Sequence, residues 1–166
     1  PVNIPGGEIF TSLQQGAIDA AEWVGPYNDL AFGLYRAAKY CYYPGWQEPG
    51  PTLECMVNKT AYESLPEDLQ AILDTCCRAI NDDMLAEYTS RNQEALKQLI
   101  ETHKVEFRRL PDPVLAALRQ QADAVLADLA QSDAFAKRVH DSYVAYREQV
   151  RAWAAISEVA FYQART

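Results

Sequence analysis

Apolar residues recur at helical spacing over most of this chain and at strand spacing in only a few short places. Glu8 to Gln15 predicts a short helix, stopped by Gly16, a natural residue for the turn just past a helix end. Ala17 to Val24 then leads toward a short extended segment that Gly25-Pro26 cuts off. Asn28 or Asp29 is placed to cap the next helix, in which Leu30, Phe32, Leu34 and Tyr35 give one apolar side. Tyr40 to Tyr43 is a strand-prone run ended by Pro44-Gly45. Thr52 to Asn58 predicts another strand, with Leu53, Cys55 and Val57 alternating against Thr52, Glu54 and Met56.

The second half is dominated by helices. From Pro66 to Lys104 there is no interior Gly or Pro, and Leu69, Leu73, Cys76, Ile80 and Met84 step by three or four. Ala95, Leu96, Leu99 and Ile100 continue the pattern, which predicts one long helix or two joined by a kink near Ser90 to Asn92. Val105 to Leu110 alternates as a short strand, and Asp112-Pro113 reads as an N-cap followed by proline in the first helical turn. The helix through Leu115, Leu118, Ala122, Val125, Leu126 and Leu129 ends near Gln131 to Asp133. From Ala134 to about Gln163 a stripe of Phe135, Val139, Tyr143, Tyr146, Val150, Trp153, Ser157 and Ala160 keeps helical spacing. A helix of that length reaches roughly 45 Å at about 1.5 Å per residue, which calls for a larger body or a second chain to pack on. Its apolar end, with Val159, Phe161 and Tyr162, favours contact in a homodimer. Few strands separated by helices suggest α/β layers with an incomplete sheet.

Composition narrows the class. At 166 residues the chain is long enough for one domain with a core. A formal net charge of −8 argues against a general nucleic-acid or anionic-membrane binder, because phosphate contacts need clustered Lys and Arg. No apolar run is long enough to span a bilayer, and the opening Pro1-Val2-Asn3 suggests a processed chain or a piece of something longer. The 4 cysteines do not make a disulfide framework in a chain of this size and read as small buried hydrophobes. Cys76 and Cys77 are adjacent on a predicted helix, whereas Cys41 and Cys55 lie on extended segments where a cross-strand bridge is possible but unforced.

Candidate chemistry concentrates in Glu22-Trp23-Val24-Gly25-Pro26-Tyr27-Asn28-Asp29 and in the run from Tyr40 to Gly50. Glu22 and Glu48 suit an acid/base pair, or hard oxygen ligands for a cation, or simply two solvated carboxylates among many. Their neighbours Trp23 and Trp46 favour lining groups over solvated ones. No nucleophile elbow, phosphate-cradling glycine loop or metalloprotease helix accompanies them, so nothing specific supports catalysis.

The run from Gly6-Gly7-Glu8-Ile9-Phe10 through Leu13-Gln14-Gln15-Gly16-Ala17-Ile18-Asp19 to Glu22-Trp23 resembles the GGEIYxALQxGxIDGxE signature of solute-binding (DctP-type) subunits of tripartite ATP-independent periplasmic (TRAP) transporters. The continuation EWVGPYNDLAFGLY and the later YYPGWQEPG are similar to the branch that binds 2-oxo acids. The likeness runs from Pro5 to about Asn58 and departs at Ala20, where the family commonly has glycine.

The resemblance implies the C-terminal part of a two-domain, clamshell-like periplasmic binding protein, α/β in class, helix-rich, with a small incomplete sheet and a long C-terminal helix. It assigns about 1–24 to a second-lobe helix and strand, 25–58 to the interlobe crossover and site, 59–132 to a helical lobe and 133–166 to the terminal helix. The first domain, with the arginine that pairs with the substrate carboxylate, is expected to lie outside this sequence. The implied partners are a small carboxylate ligand and the TRAP membrane subunits; the homodimer mate is expected from the apolar terminal helix, whose other reading is packing across the protein's own two domains. Nucleic acid is not among them, and the implied compartment is the periplasm. A sodium ion or similar monovalent cation is expected to bridge ligand and protein, held by the Glu48 carboxylate and the Trp23 backbone carbonyl. Glu22, Tyr27, Asn28 and Trp46 would line the ligand pocket beside Trp23. The rival readings are a small acid/base enzyme using Glu22 and Glu48, and a helical interaction module built on the terminal helix.

Overall fold

The computed structural model describes residues 1–48, Gly50 and 53–165. Two compact units make up the chain, one from Pro1 to Leu110 and one from Pro111 onward.

In the first unit, α1 (Gly6–Gln14) ends as the sequence predicts. Gly16 takes φ +71°, which lets its N–H reach the Leu13 carbonyl at 3.2 Å and the Ala17 N–H reach Ser12 at 2.9 Å. That paired arrangement satisfies carbonyls the helix end would otherwise leave open. Helix α2 (Pro26–Phe32) departs from expectation at its start: Gly25 is the N-cap and Pro26 the first helical residue, so Asn28 and Asp29 lie inside the helix. Proline carries no N–H to satisfy, and its fixed φ suits the first turn, so Gly25-Pro26 outcompetes the two later polar residues as the start. Left-handed Gly33 stops α2, and Leu34–Arg36 form a separate 3-10 turn.

Strand β1 (Tyr40–Tyr43) pairs in parallel with β2 (Glu106–Arg109), register Tyr40 to Glu106 and Cys41 to Phe107. Cys41 and Phe107 are the half-buried positions of their strands. A parallel pair needs a long crossover; here it contains α3 (Lys59–Glu63) and α4 (Glu67–Glu101). Helix α4 runs unbroken through Ser90 to Asn92, so the long-helix alternative holds and the kinked one does not.

The strand expected over Thr52 to Asn58 is a correction. Thr52 lies outside the described residues, and 53–58 form no strand. Alternation makes a strand only where another strand offers hydrogen bonds. The only pairing among the described residues is β1 with β2, and Leu53 and Met56 are 72% and 85% exposed. Buried apolar side chains among the described residues of this unit are few: Ile9, Ala95, Leu99 and Val105. Most apolar positions along the first part of α4, including Leu69, Ile72 and Ile80, are exposed.

The second unit is a helix pair with a short tail. Helix α5 (Asp112–Ser132) is capped by Pro111, one residue earlier than expected. The link to α6 (Ala134–Ile156) is the single residue Asp133, whose carboxylate accepts from the Ala136 N–H at 2.7 Å. The two helices pack together, with Ala130 buried and Arg147 reaching Asp123 at 3.8 Å. The uninterrupted helix expected to Gln163 is corrected at Ser157, whose φ of −109° and ψ of −101° separate α6 from α7 (Glu158–Gln163). The Ser157 hydroxyl donates to the Trp153 carbonyl at 2.9 Å, a local side-chain bond of the kind that competes with a helix interior. No helix among the described residues is long and apolar enough to cross a membrane.

Candidate functional site

Two segments carry the predicted site residues, and they behave differently. The first runs from Glu22 to Asp29 and is anchored on three sides. The Trp23 indole lies tilted against Phe32 of α2, ring centres 5.0 Å apart. Its other neighbour is the N-terminus of α1, where a Cβ at Gly6 would meet the indole edge at 2.6 Å. The first glycine of the Gly6-Gly7 pair is thus a packing requirement, because any side chain there displaces Trp23.

Tyr27 is held by α4. Gly25 has no side chain with which to cap α2, and the Tyr27 N–H donates instead to Asn92 Oδ1 at 2.9 Å. An amide from a distant helix supplies the bond a local cap would have made. The Tyr27 ring stands edge-on to Tyr88 at 5.9 Å, and the Arg91 guanidinium sits 5.4 Å from its centre.

Two polar atoms in this wall are buried without a hydrogen-bond partner: Trp23 Nε1, a donor, and Asn28 Oδ1, an acceptor. Buried polar groups in folded proteins are nearly always paired, so these two mark where a polar ligand, water or another segment would bond. The electrostatics nearby are acidic. Burial, and then the charge of Glu22, push the Asp29 carboxyl up to about 6. Burial and the charge of Asp29 push the Cys41 thiol up to about 11. Glu22 itself is exposed.

The second segment is the turn after β1. Trp46 is 49% exposed and Glu48 is exposed. The turn is tight: a Cβ at Gly45 would come 2.6 Å from the Glu48 carbonyl oxygen. Tyr40, Tyr42 and Tyr43 are also exposed, with Arg108 stacked 3.7 Å from the Tyr40 ring centre. Lys39 bonds Glu106 at 3.0 Å and the Arg36 guanidinium lies 4.8 Å from the Phe10 ring centre.

The structure therefore brings Trp23, Tyr27, Asn28 and Glu22 into one wall with Asp29 and Cys41. Glu48 and Trp46 stand on their own turn. For a cation, the Glu48 carboxylate and the Trp23 backbone carbonyl are oxygens of the right kind. Among the described residues no group of three or more His, Cys, Asp or Glu stands together as a metal cluster. Calcium takes about six to eight oxygens, so the described side chains do not by themselves form a cage.

Sequence reasoning missed Asn92 as the remote cap and Asp29 as a half-buried acid. A signal for the first existed, since Asn92 is a poor helix former inside α4 and interrupts its apolar stripe. The reading of the cysteines is also corrected: Cys55, Cys76 and Cys77 are exposed, and only Cys41 is half-buried.

The pattern defining bacterial extracellular solute-binding protein family 7, the DctP family, matches residues 1–133, and the chain belongs to that family. It is 41% identical over 160 residues to the monocarboxylate 2-oxoacid-binding periplasmic protein of Nostoc sp., covering 95% of this chain and 43% of that protein. Its structure is similar to that of a TRAP periplasmic solute-binding protein from Pseudoalteromonas atlantica with bound sodium and pyruvate. The TM-score is 0.91 at 42% identity, over 98% of this chain and 50% of that one. A TRAP solute-binding protein from Bordetella bronchiseptica, a mixed-occupancy dimer with copurified calcium and picolinate, matches with TM-score 0.95 at 33% identity, over 99% of this chain and 49% of that one. The chain thus spans about half the length of the relatives it matches. It has the helix-rich fold with a small sheet of a TRAP solute-binding C-terminal half.

Proposed function

We propose that this chain is the ligand-binding C-terminal half of an extracytoplasmic TRAP solute-binding protein that captures a 2-oxo acid with the help of a bound cation. The observation that carries the reading is the similarity, across nearly the whole chain, to a solved structure that holds sodium and pyruvate. The half-buried wall adds physical support. Trp23 Nε1 and Asn28 Oδ1 need polar partners, and the packed rings of Trp23 with Phe32 and of Tyr27 with Tyr88 offer apolar surface of the kind that walls ligand pockets. The acidic pair Glu22 and Asp29 would repel a bare carboxylate. A hard cation between ligand and protein removes that repulsion, and a 2-oxo acid offers it two oxygens in a five-membered chelate.

In this reading Glu48 and the Trp23 carbonyl hold the cation, and Glu22, Tyr27, Asn28 and Trp46 line the ligand. Sodium and calcium each occur in the relatives, so the preference for a monovalent ion is the finer part of the proposal. Residues 25–58 serve as crossover and site, residues 1–24 and 59–132 as lobe, and 133–166 as the terminal helical segment. The exposed apolar positions of α4 are surface that the remaining lobe covers. Closure of two lobes around ligand, followed by delivery to the TRAP membrane subunits in the periplasmic compartment, is the whole task. No reaction step is required of Glu22 or Glu48. The exposed Tyr143, Tyr146 and Trp153 of α6 support a homodimer face.

Calorimetric titration of the full-length protein tests the ligand class. Pyruvate is expected to bind at least about tenfold more tightly than propionate, which lacks the keto oxygen; one such factor is about 1.4 kcal/mol. Equal affinity for the two acids would refute a site built on the chelate. Light scattering that finds only monomer at working concentration would refute the dimer.

A further inference from the structure

The Gly6-Gly7 pair opens α1, yet its two glycines meet different surroundings. Neither adopts a positive φ, unlike Gly16 and Gly33, so backbone freedom is not what either position requires. Alanine is the better helix former, and at Gly7 a Cβ would meet nothing within 4 Å. At Gly6 a Cβ would come 2.6 Å from Trp23 Cη2 and 3.1 Å from Trp23 Cζ3, on the outer edge of the indole. Room for that ring, rather than the helix itself, asks for glycine at position 6.

The segment that carries Trp23 has little else to fix it. Residues 19–24 belong to no helix or strand, and among the described residues they make no backbone–backbone hydrogen bond. Side-chain packing sets the place of Trp23 instead. The indole is tilted against Phe32, ring centres 5.0 Å apart, and its outer edge rests against the open Cα of Gly6. A rigid ring held at its far edge cannot swing about its side-chain torsions without giving up one of those contacts. The same ring carries Nε1, which is buried with no hydrogen-bond partner.

From this packing we infer that Gly6 is a positioning residue of the 2-oxo acid site: the missing side chain seats the Trp23 indole and so sets the groups that Trp23 offers to ligand and cation. Its importance to binding rests on the proposed role of Trp23, whose geometry it specifies. Helix α1 then serves the site through shape alone. A methyl at position 6 overpacks the contact and turns the indole from its seat, moving Nε1 with it.

The test compares Gly6→Ala with Gly7→Ala in the full-length protein. Pyruvate affinity is measured by calorimetry in excess sodium. The indole N–H resonances are recorded in the ligand-free protein, with that of Trp23 assigned through Trp23→Phe. Gly6→Ala is expected to weaken pyruvate binding about tenfold and to shift the Trp23 resonance. Gly7→Ala is expected to stay within about twofold of wild type and to shift nothing. Phenylalanine lacks the outer indole edge, so in Trp23→Phe the added Gly6→Ala should no longer lower the thermal midpoint that it lowers in the wild-type background. Equal affinity in Gly6→Ala and wild type, a shifted resonance without loss of affinity, or a loss of affinity with the resonance in place would each overturn the positioning role. Wild type that does not bind pyruvate overturns the proposed ligand class and this role with it, whereas failure of the glycine comparison alone leaves that class standing.

Discussion

The segment from Trp23 to Asp29 and the turn from Gly45 to Glu48 look alike in sequence, each a carboxylate and a tryptophan beside Gly and Pro. Folded, they differ in what holds them. The first is clamped between α1, α2 and α4 by ring packing and by the bond from the Tyr27 N–H to Asn92. The second is a tight, exposed turn whose Trp46 is 49% accessible. A wall with buried, unpaired polar atoms is preorganised at some cost to stability. An exposed carboxylate costs the fold little and gains its partner only on binding. Removing groups from the two regions should therefore separate stability from affinity.

The largest expected effect is on binding. Glu48→Gln in the full-length protein is expected to weaken 2-oxo acid affinity about 100-fold, roughly 3 kcal/mol. Its unfolding free energy should stay within about 0.5 kcal/mol of wild type, as for an exposed side chain. Comparable losses of stability and affinity in a urea melt and a titration would erase the distinction between the regions. Asn92→Ala should do the converse. Losing the acceptor for the Tyr27 N–H leaves a half-buried donor unmet and is expected to cost about 1–3 kcal/mol in denaturant unfolding. An unchanged midpoint would show that α2 does not depend on its remote cap.

Asp29 gives a pH-dependent version of the same contrast. Its folded carboxyl lies at about 6 against an ordinary 3.8, so between those values the folded state holds the proton more tightly. Its contribution to stability is fully present below about 3.8 and is lost as pH rises through about 6. Because the group is partly solvent-screened, the loss is on the order of 1 kcal/mol. Asp29→Asn should remove that slope and exceed wild type in stability at neutral pH. Glu106 and Asp141, both held below the ordinary carboxyl range by ion pairs, act in the opposite sense, so the wild-type-minus-variant difference is the quantity to follow. A flat difference between pH 4 and 6 would contradict the burial of Asp29. The smallest effect is expected for Trp46→Ala, a few tenths of a kcal/mol in stability with a modest loss of affinity. A larger stability loss would show that the turn is part of the core.

What the sequence made legible follows the range of the interactions involved. The end of α1 at Gly16, the helical character of α4 and the strand runs of β1 and β2 rest on local turn chemistry and periodicity, and all are seen. The parallel pairing of the two strands and the absence of a kink in α4 were not legible there. The strand expected over Thr52 to Asn58 is not seen across the described 53–58, because alternation marks a surface for pairing without specifying what pairs with it. The break at Ser157 carries no glycine or proline to announce it. In the site, aromatic density pointed to Trp23 and Tyr27. The roles of Asn92 and Asp29 arise from packing of α2 on a helix more than sixty residues away, which no local pattern encodes.

The central claim is that a cation couples the exposed Glu48 to the ligand. Calorimetric titration of the full-length protein with pyruvate, before and after removal of sodium and calcium, in wild type and Glu48→Gln, tests it most directly. The account predicts strong binding only for wild type with cation present, and no further loss on stripping cation from Glu48→Gln. Pyruvate binding that ignores the cation, or that is untouched by Glu48→Gln, would contradict it.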